Sequence, residues 1–235
     1  MTEKPLVLKL LDGITILALI ATACQVFFYA PLEVQMGAVQ KVFYFHVASA
    51  WVGLLGFITA AVAGGFYLSQ GEKRWDIFGL AAVEISLIFF LVAIILGSIW
   101  ARPIWNTWWT WEPRLTTAAI VEIVFAAYLL LREAVDDPER RARFAAIYAI
   151  LGSLSVPLTF LSIRLLRTIH PVVIGSAEAT SQGGFNMDAP MQLVFFFCLG
   201  AFTVLFIDLL WHRIRLGTLQ DIVEDLRYQA YQKEN

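Results

Sequence analysis

The run Ile77-Phe-Gly-Leu-Ala-Ala-Val-Glu84-Ile-Ser-Leu-Ile-Phe-Phe-Leu-Val-Ala-Ile-Ile-Leu-Gly97-Ser98-Ile99 contains one ionisable side chain, Glu84. At about 1.5 Å per residue, a helix of this length covers the roughly 30 Å of hydrocarbon in a bilayer. Lipid offers no hydrogen bonds, so a backbone crossing it must satisfy its own polar groups. Five more apolar runs lie at about 12–30, 43–69, 115–131, 144–166 and 190–212. The residues between them carry most of the charges, and no stretch alternates in the manner of a barrel strand. The pattern predicts an all-α, polytopic membrane bundle of six transmembrane helices, forming one membrane domain over residues 1–235.

Composition agrees. Hydrophobic residues make up 59% of the 235-residue chain, charged residues only 15%, and the mean hydropathy is +0.71. A soluble domain is usually about 45–50% apolar and about 25% charged. The net charge of −2 gives no basic field for nucleic acid. Cys24 and Cys198 both lie inside apolar runs. No C-x-x-C or C-x-x-C-H occurs, so a thioredoxin-like pair and a covalent haem attachment site are both excluded. The first run follows Lys4 and Lys9 but stays apolar through Val26, Phe27 and Phe28. It therefore reads as a retained span rather than a cleaved signal.

Lysine and arginine set the orientation. Lys4, Lys9, Lys73, Arg74, Arg132, Arg140, Arg141, Arg143, Arg213, Arg215, Arg227 and Lys233 fall on one side. Only Lys41, Arg102, Arg114, Arg164 and Arg167 fall on the other. The basic side is the cytoplasmic one, which puts both termini in the cytoplasm and turns the third loop outward.

That loop, residues 100–114, reads Trp100-Ala-Arg102-Pro-Ile-Trp105-Asn-Thr-Trp108-Trp109-Thr-Trp111-Glu112-Pro113-Arg114. Five of the protein's eight tryptophans stand within twelve residues. An aromatic belt would spread its tryptophans over both interfaces. This set is concentrated at one, which points to a flat aromatic platform for a planar amphipathic ligand. His46, near the outer end of the second span, and His170, just past the outer end of the fifth, lie on the same face. Two imidazoles from separate spans can hold a haem iron from both sides. Arginine suits the carboxylates of haem, and Arg114 adjoins the platform, although Glu112 could instead pair with it. Pro157 is placed to kink the fifth span and aim His170. Glu84 and Glu122 lie deep in the membrane, where pairing between helices would offset their cost. His212 sits at the opposite face and reads as an interfacial residue.

The stretch Trp105 to Thr116 resembles the tryptophan-rich "WWD" signature of haem-handling proteins. The chain as a whole is similar to the cytochrome c maturation protein C family (CcmC, haem exporter protein C). His46-Val47-x-x-Ala50-Trp51 is a second point of resemblance. Glu112 stands where the signature has Asp, Asn106 where it has Gly, and Ala48 where it has Pro. Pro113 and Pro171 also depart from the pattern, and residues 172–187 match it poorly. The resemblance implies a multi-pass protein of the bacterial inner membrane that binds exchangeable haem b at its outer face. His46 and His170 would be the axial ligands. Trp100, Trp105, Trp108, Trp109 and Trp111 would cradle the ring with Trp51, Glu112, Arg102, Arg114 and Arg167 around it. It further implies delivery of the haem to a periplasmic chaperone, CcmE, with CcmD and the CcmA/CcmB ABC transporter as partners. Such a protein is a handover module rather than an enzyme in the usual sense. A haem permease, a respiratory cytochrome b subunit and a structural subunit with an aromatic girdle remain alternatives at this point.

Overall fold

The computed structural model describes residues 3–34, 36–171 and 187–234. Seven α-helices follow one another: α1 Leu6–Cys24, α2 Gln40–Gln70, α3 Lys73–Trp105, α4 Pro113–Glu133, α5 Pro138–Ser153, α6 Ser155–Leu165 and α7 Ala189–Glu234. A π-helical turn, Gln25–Tyr29, prolongs α1. Six spans result, because α5 and α6 together make one crossing, Pro138–Ser162. The chain is a multi-pass helical membrane protein, as its apolar runs predict. Six crossings bring both termini to one face, where Arg215 of α7 lies 3.5 Å from the Glu3 carbonyl oxygen.

Local chemistry sets the helix ends. Gly71 closes α2 at φ 69°, a left-handed conformation that costs glycine little. Asn106 closes α3 at φ 55°. Asparagine is the side-chain-bearing residue that best tolerates this region, which accounts for Asn where the related signature has Gly. Asp137 caps α5 by accepting from the Arg140 N–H at 2.8 Å, with Pro138 at the first helical position.

α5 and α6 part at Leu154. Pro157 has no N–H to give to the Ser153 carbonyl, and its ring crowds that carbonyl. The interruption is one residue, Leu154, whose backbone stays in the helical region at φ −64° and ψ −21°, and the two pieces remain one crossing. Pro103, by contrast, is carried inside α3. The expected loop at 100–114 is corrected accordingly: Trp100, Arg102 and Trp105 stand on the last turns of α3, and Arg114 on the first turn of α4. Only the stretch from Asn106 to Glu112 is irregular.

The centre of the bundle is α2. Small residues let it approach its neighbours closely. A Cβ on Gly56 would overlap Ser86 Oγ at 1.9 Å, and one on Gly64 would lie 2.8 Å from the Ala146 carbonyl oxygen. Phe57 stacks on Phe125 of α4 with centroids 3.8 Å apart. At the basic end, Arg132 of α4 grips both oxygens of Asp76 of α3, at 2.5 and 2.9 Å. Glu84 of α3 is paired with Arg213 of α7, which meets the expectation of interhelical pairing, whereas buried Glu122 Oε2 has no hydrogen-bond partner. α1 lies at the edge, packed mainly on α7, with Leu6, Leu10, Ile14 and Leu17 exposed toward lipid.

Candidate ligand-binding cavity

At the end of the bundle opposite Asp76 and Arg213, α2, α3, α4 and α6 diverge around a cavity. His46, Ala50 and Leu54 of α2 form one wall. They recur every four residues and so share a face. Phe90, Ala93, Gly97, Trp100 and Trp105 of α3 form a second. Trp108 and Trp109 overhang from the irregular segment. Arg114 of α4, Thr159 of α6 and His170 complete the enclosure.

The two histidine rings lie near each other, with centroids 6.4 Å apart and planes tilted by 42°. His46 Nδ1 lies 2.8 Å from the Ala93 carbonyl oxygen. His170 Nδ1 lies 3.0 Å from the Pro171 carbonyl oxygen. A carbonyl oxygen can only accept, so each Nδ1 carries the proton and each Nε2 keeps its lone pair. Backbone carbonyls on the far nitrogen are how proteins orient metal-binding imidazoles. Two metal–imidazole bonds of roughly 2 Å, plus about 1 Å from each nitrogen to its ring centre, add to roughly 6 Å. The observed centroid separation is of that size. Burial in the cavity pushes His170 down to about 3, and the positive charge of Arg114 and the neighbouring His46 add to the effect. His170 is therefore a neutral imidazole at physiological pH.

The tryptophans do not form the flat platform expected from the sequence. Trp100 and Trp105 meet edge to face at 5.1 Å and 89°, and Trp109 and Trp111 do so at 5.6 Å and 79°. Edge-to-face contact is the favoured geometry for adjacent aromatic rings, and here it turns a platform into walls. The indole N–H groups of Trp100 and Trp109 are buried without a hydrogen-bond partner. Buried donors are nearly always satisfied. Two unmet donors among the residues that line the cavity suit a ligand that carries acceptors, as haem propionates do.

The predicted site residues divide plainly. His46, His170, Trp100, Trp105, Trp108, Trp109 and Arg114 line the cavity. Trp51 does not: its indole donates to Thr203 Oγ1 of α7 at 2.9 Å. Arg102 is bonded to Asn106, and Arg167 is exposed beyond α6. Trp111 is 76% exposed and stands outside the wall. Glu112 neither lines the cavity nor pairs with Arg114 in a hydrogen bond. Its Oε1 caps α4 by accepting from the Leu115 N–H at 2.9 Å, and its Oε2 accepts from the Thr168 hydroxyl. The same hydroxyl oxygen accepts from the His170 N–H at 3.0 Å. Arg114 donates to the Thr159 carbonyl and lies over the Phe160 ring at 5.3 Å. The poorly matching stretch after His170 lies outside the described residues up to 186. A cytochrome with two haems would need a second ligand at the far end, where His212 is engaged by Asp12 at 2.8 Å.

Three site residues have no counterpart in the sequence reading. Gly97 gives His46 its room, since a Cβ there would lie 2.9 Å from His46 Cε1. Thr168 is buried beneath His170, and Thr159 anchors Arg114. The pair Gly97-Ser98, small in a bulky run one turn before Trp100, was the available sign of a close approach.

Fold and cavity together define a six-span membrane protein with a paired-imidazole site walled by tryptophan. The family model described as "Heme exporter protein C" matches residues 2–229. The chain is 31% identical over 198 residues to "Heme exporter protein C" of Bradyrhizobium diazoefficiens, covering 84% of this chain and 74% of that one. It is 31% identical over 145 residues to the protein of that name in Rhodobacter capsulatus, covering 62% and 60%. With the Escherichia coli K12 protein of that name it shares 29% over 144 residues, covering 61% and 59%. The chain belongs to the Heme exporter protein C family.

Proposed function

We propose that this protein binds haem b, exchangeably, at the outer face of the bacterial inner membrane and hands it to a periplasmic haem chaperone during cytochrome c maturation. Membership of the Heme exporter protein C family supports the role in haem delivery. The observation that carries the site assignment is the pair of histidines on one cavity, with ring centres 6.4 Å apart and both Nδ1 atoms held by carbonyls, which leaves Nε2 as the unprotonated nitrogen of each. His46 and His170 are the axial ligands. Trp100, Trp105, Trp108 and Trp109 enclose the ring, and Arg114 with the unmet indole donors faces the propionates.

Haem here is cargo, and the cavity suits cargo. The walls are mostly apolar, the attachment is non-covalent, and Trp108 at the edge is 59% exposed. A partner can therefore reach the ligand from outside. The chaperone CcmE is the proposed recipient, with CcmD and the CcmA/CcmB transporter as the proposed assembly. The excess of basic residues at the opposite end supports cytoplasmic termini.

The test is the absorption spectrum of detergent-purified protein loaded with haem. The wild type gives the low-spin spectrum of a six-coordinate bis-imidazole iron. The double variant His46→Ala, His170→Ala loses it. An unchanged spectrum in the double variant refutes the ligand assignment. Failure of loaded protein to transfer haem to the purified chaperone refutes the handover.

A further inference from the structure

The far end of the bundle holds a second cluster of metal-ligating groups. His212 of α7 places Nε2 2.8 Å from Asp12 Oδ1 of α1 and 3.6 Å from Asp208 Oδ1, one turn earlier on α7. One donor atom from each of the three residues lies within 4.8 Å of the others. Asp208 is only 7% exposed, and its Oδ1, the atom turned to His212, has no hydrogen-bond partner. An unpaired buried carboxylate is costly.

A proton on His212 does not resolve this. Nε2 carries at most one hydrogen, and the shorter contact commits it to Asp12. Lys4 bonds the other oxygen of Asp12 and so leaves Asp208 unserved. Arg213, the next basic residue along α7, is engaged by Glu84. A divalent ion in place of the Nε2 proton serves all three donors at once. Four ligands at roughly 2 Å around a tetrahedral ion stand roughly 3.3 Å apart. The two His212 distances, 2.8 and 3.6 Å, bracket that value, and the third edge lies within 4.8 Å.

We propose that Asp12, Asp208 and His212 form a binding site for a small divalent transition-metal ion of the zinc class, with water as the fourth ligand. One imidazole and two carboxylates are a donor set that such ions accept. The site joins α1 to α7. α1 packs on little else in the bundle, so the ion acts as a staple for the peripheral span. It is separate from the histidine cavity and does not rest on the haem reading. Asp208 stands 19 residues beyond Ala189, the start of α7, which is about 30 Å of helix.

The test uses the full-length, haem-free protein in detergent, titrated with Co²⁺ alone and then with Zn²⁺. The expected result is a tetrahedral Co²⁺ visible absorption that saturates at one equivalent and is displaced by Zn²⁺. Asp208→Asn and His212→Gln each weaken Co²⁺ binding at least tenfold, whereas His46→Ala with His170→Ala leaves it unchanged. The proposal is overturned if the wild type gives no such absorption. It is equally overturned if the absorption survives in Asp208→Asn and His212→Gln, or vanishes in the cavity double variant.

Discussion

Gly97→Ala is the sharpest probe of the cavity, because one methyl group acts on one ligand. Built on the Gly97 backbone, a Cβ lies 2.9 Å from His46 Cε1, 3.1 Å from Nδ1 and 3.8 Å from Nε2. Ordinary contact begins near 3.4 Å, so the ring must retreat by about half an ångström. Gly97 and Ala93 are one turn apart on the same face of α3. Pushing the ring away from Gly97 therefore also pulls Nδ1 from the Ala93 carbonyl. The 2.8 Å bond stretches to about 3.3 Å, past the usual range for N–H···O. Loss of such a supporting bond costs roughly 10–100-fold in metal affinity, or about 1.4–2.7 kcal/mol. The fold moves the other way, since alanine favours helix over glycine by about 1 kcal/mol. The assay is haem titration of purified apoprotein, followed at the Soret band, beside a thermal unfolding curve. The expected variant is at least as heat-stable as the wild type but binds haem 10–100-fold more weakly, with an altered Soret position. Wild-type affinity and spectrum in a folded Gly97→Ala protein refute the placement of His46 as a ligand oriented by α3.

Further outcomes follow from the same geometry. Glu112→Ala removes the cap of α4 and the Thr168 contact, and should destabilise the protein by about 0.5–2 kcal/mol while weakening haem binding; Glu112→Gln, which retains an acceptor oxygen, should recover most of both in unfolding and titration measurements. Trp51→Phe loses only the bond to Thr203, so its haem affinity should equal that of the wild type, and a tenfold loss would return Trp51 to the site. The His170 value of about 3 lies below the ordinary 6.5; its neutral form is thus a source of stability that is complete above 6.5 and is lost progressively as pH falls toward 3. Haem retention should accordingly stay level from pH 8 to 5, and an His170 imidazole that titrates near 6.5 by NMR of the apoprotein would contradict the burial argument. Asp76→Asn leaves Arg132 buried without its carboxylate partner, which should cost about 3–5 kcal/mol in unfolding without shifting the Soret band of the protein that remains folded.

Much of this was legible in the chain. Apolar runs long enough for a bilayer fix the spans, because lipid leaves few other ways to solvate them. That His46 and His170 share one cavity is legible too, because each stands beside a span end and alternation puts both ends on one face. The shape of the tryptophan segment was not legible. The apolar run stops at Ile99, yet α3 continues through Pro103 to Trp105. Hydropathy reports what a residue prefers to touch, and helical hydrogen bonding does not end there. The position of Trp51 is legible in the helical register of α2. His46, Ala50 and Leu54 advance by 40° per step around α2, whereas Trp51 lies about 140° from His46 at 100° per residue, on the side that meets α7.

Glu112 marks the limit of such reading, and it also explains one departure from the related signature. A helix cap alone is best served by a short side chain such as Asp, Asn or Ser. Here the carboxylate does two things at once. One oxygen takes the Leu115 N–H, which fixes the first turn of α4 and with it Arg114. The other takes the Thr168 hydroxyl, whose oxygen receives the His170 N–H. The second partner stands 56 residues away, so no local pattern reveals it. The additional methylene of glutamate over aspartate supplies reach toward that second partner while the cap is kept. A single acid thus ties the wall that carries Arg114 to the segment that carries His170. Displacement of one wall is transmitted to the other, so Arg114 and His170 should respond together when a ligand enters or leaves the cavity.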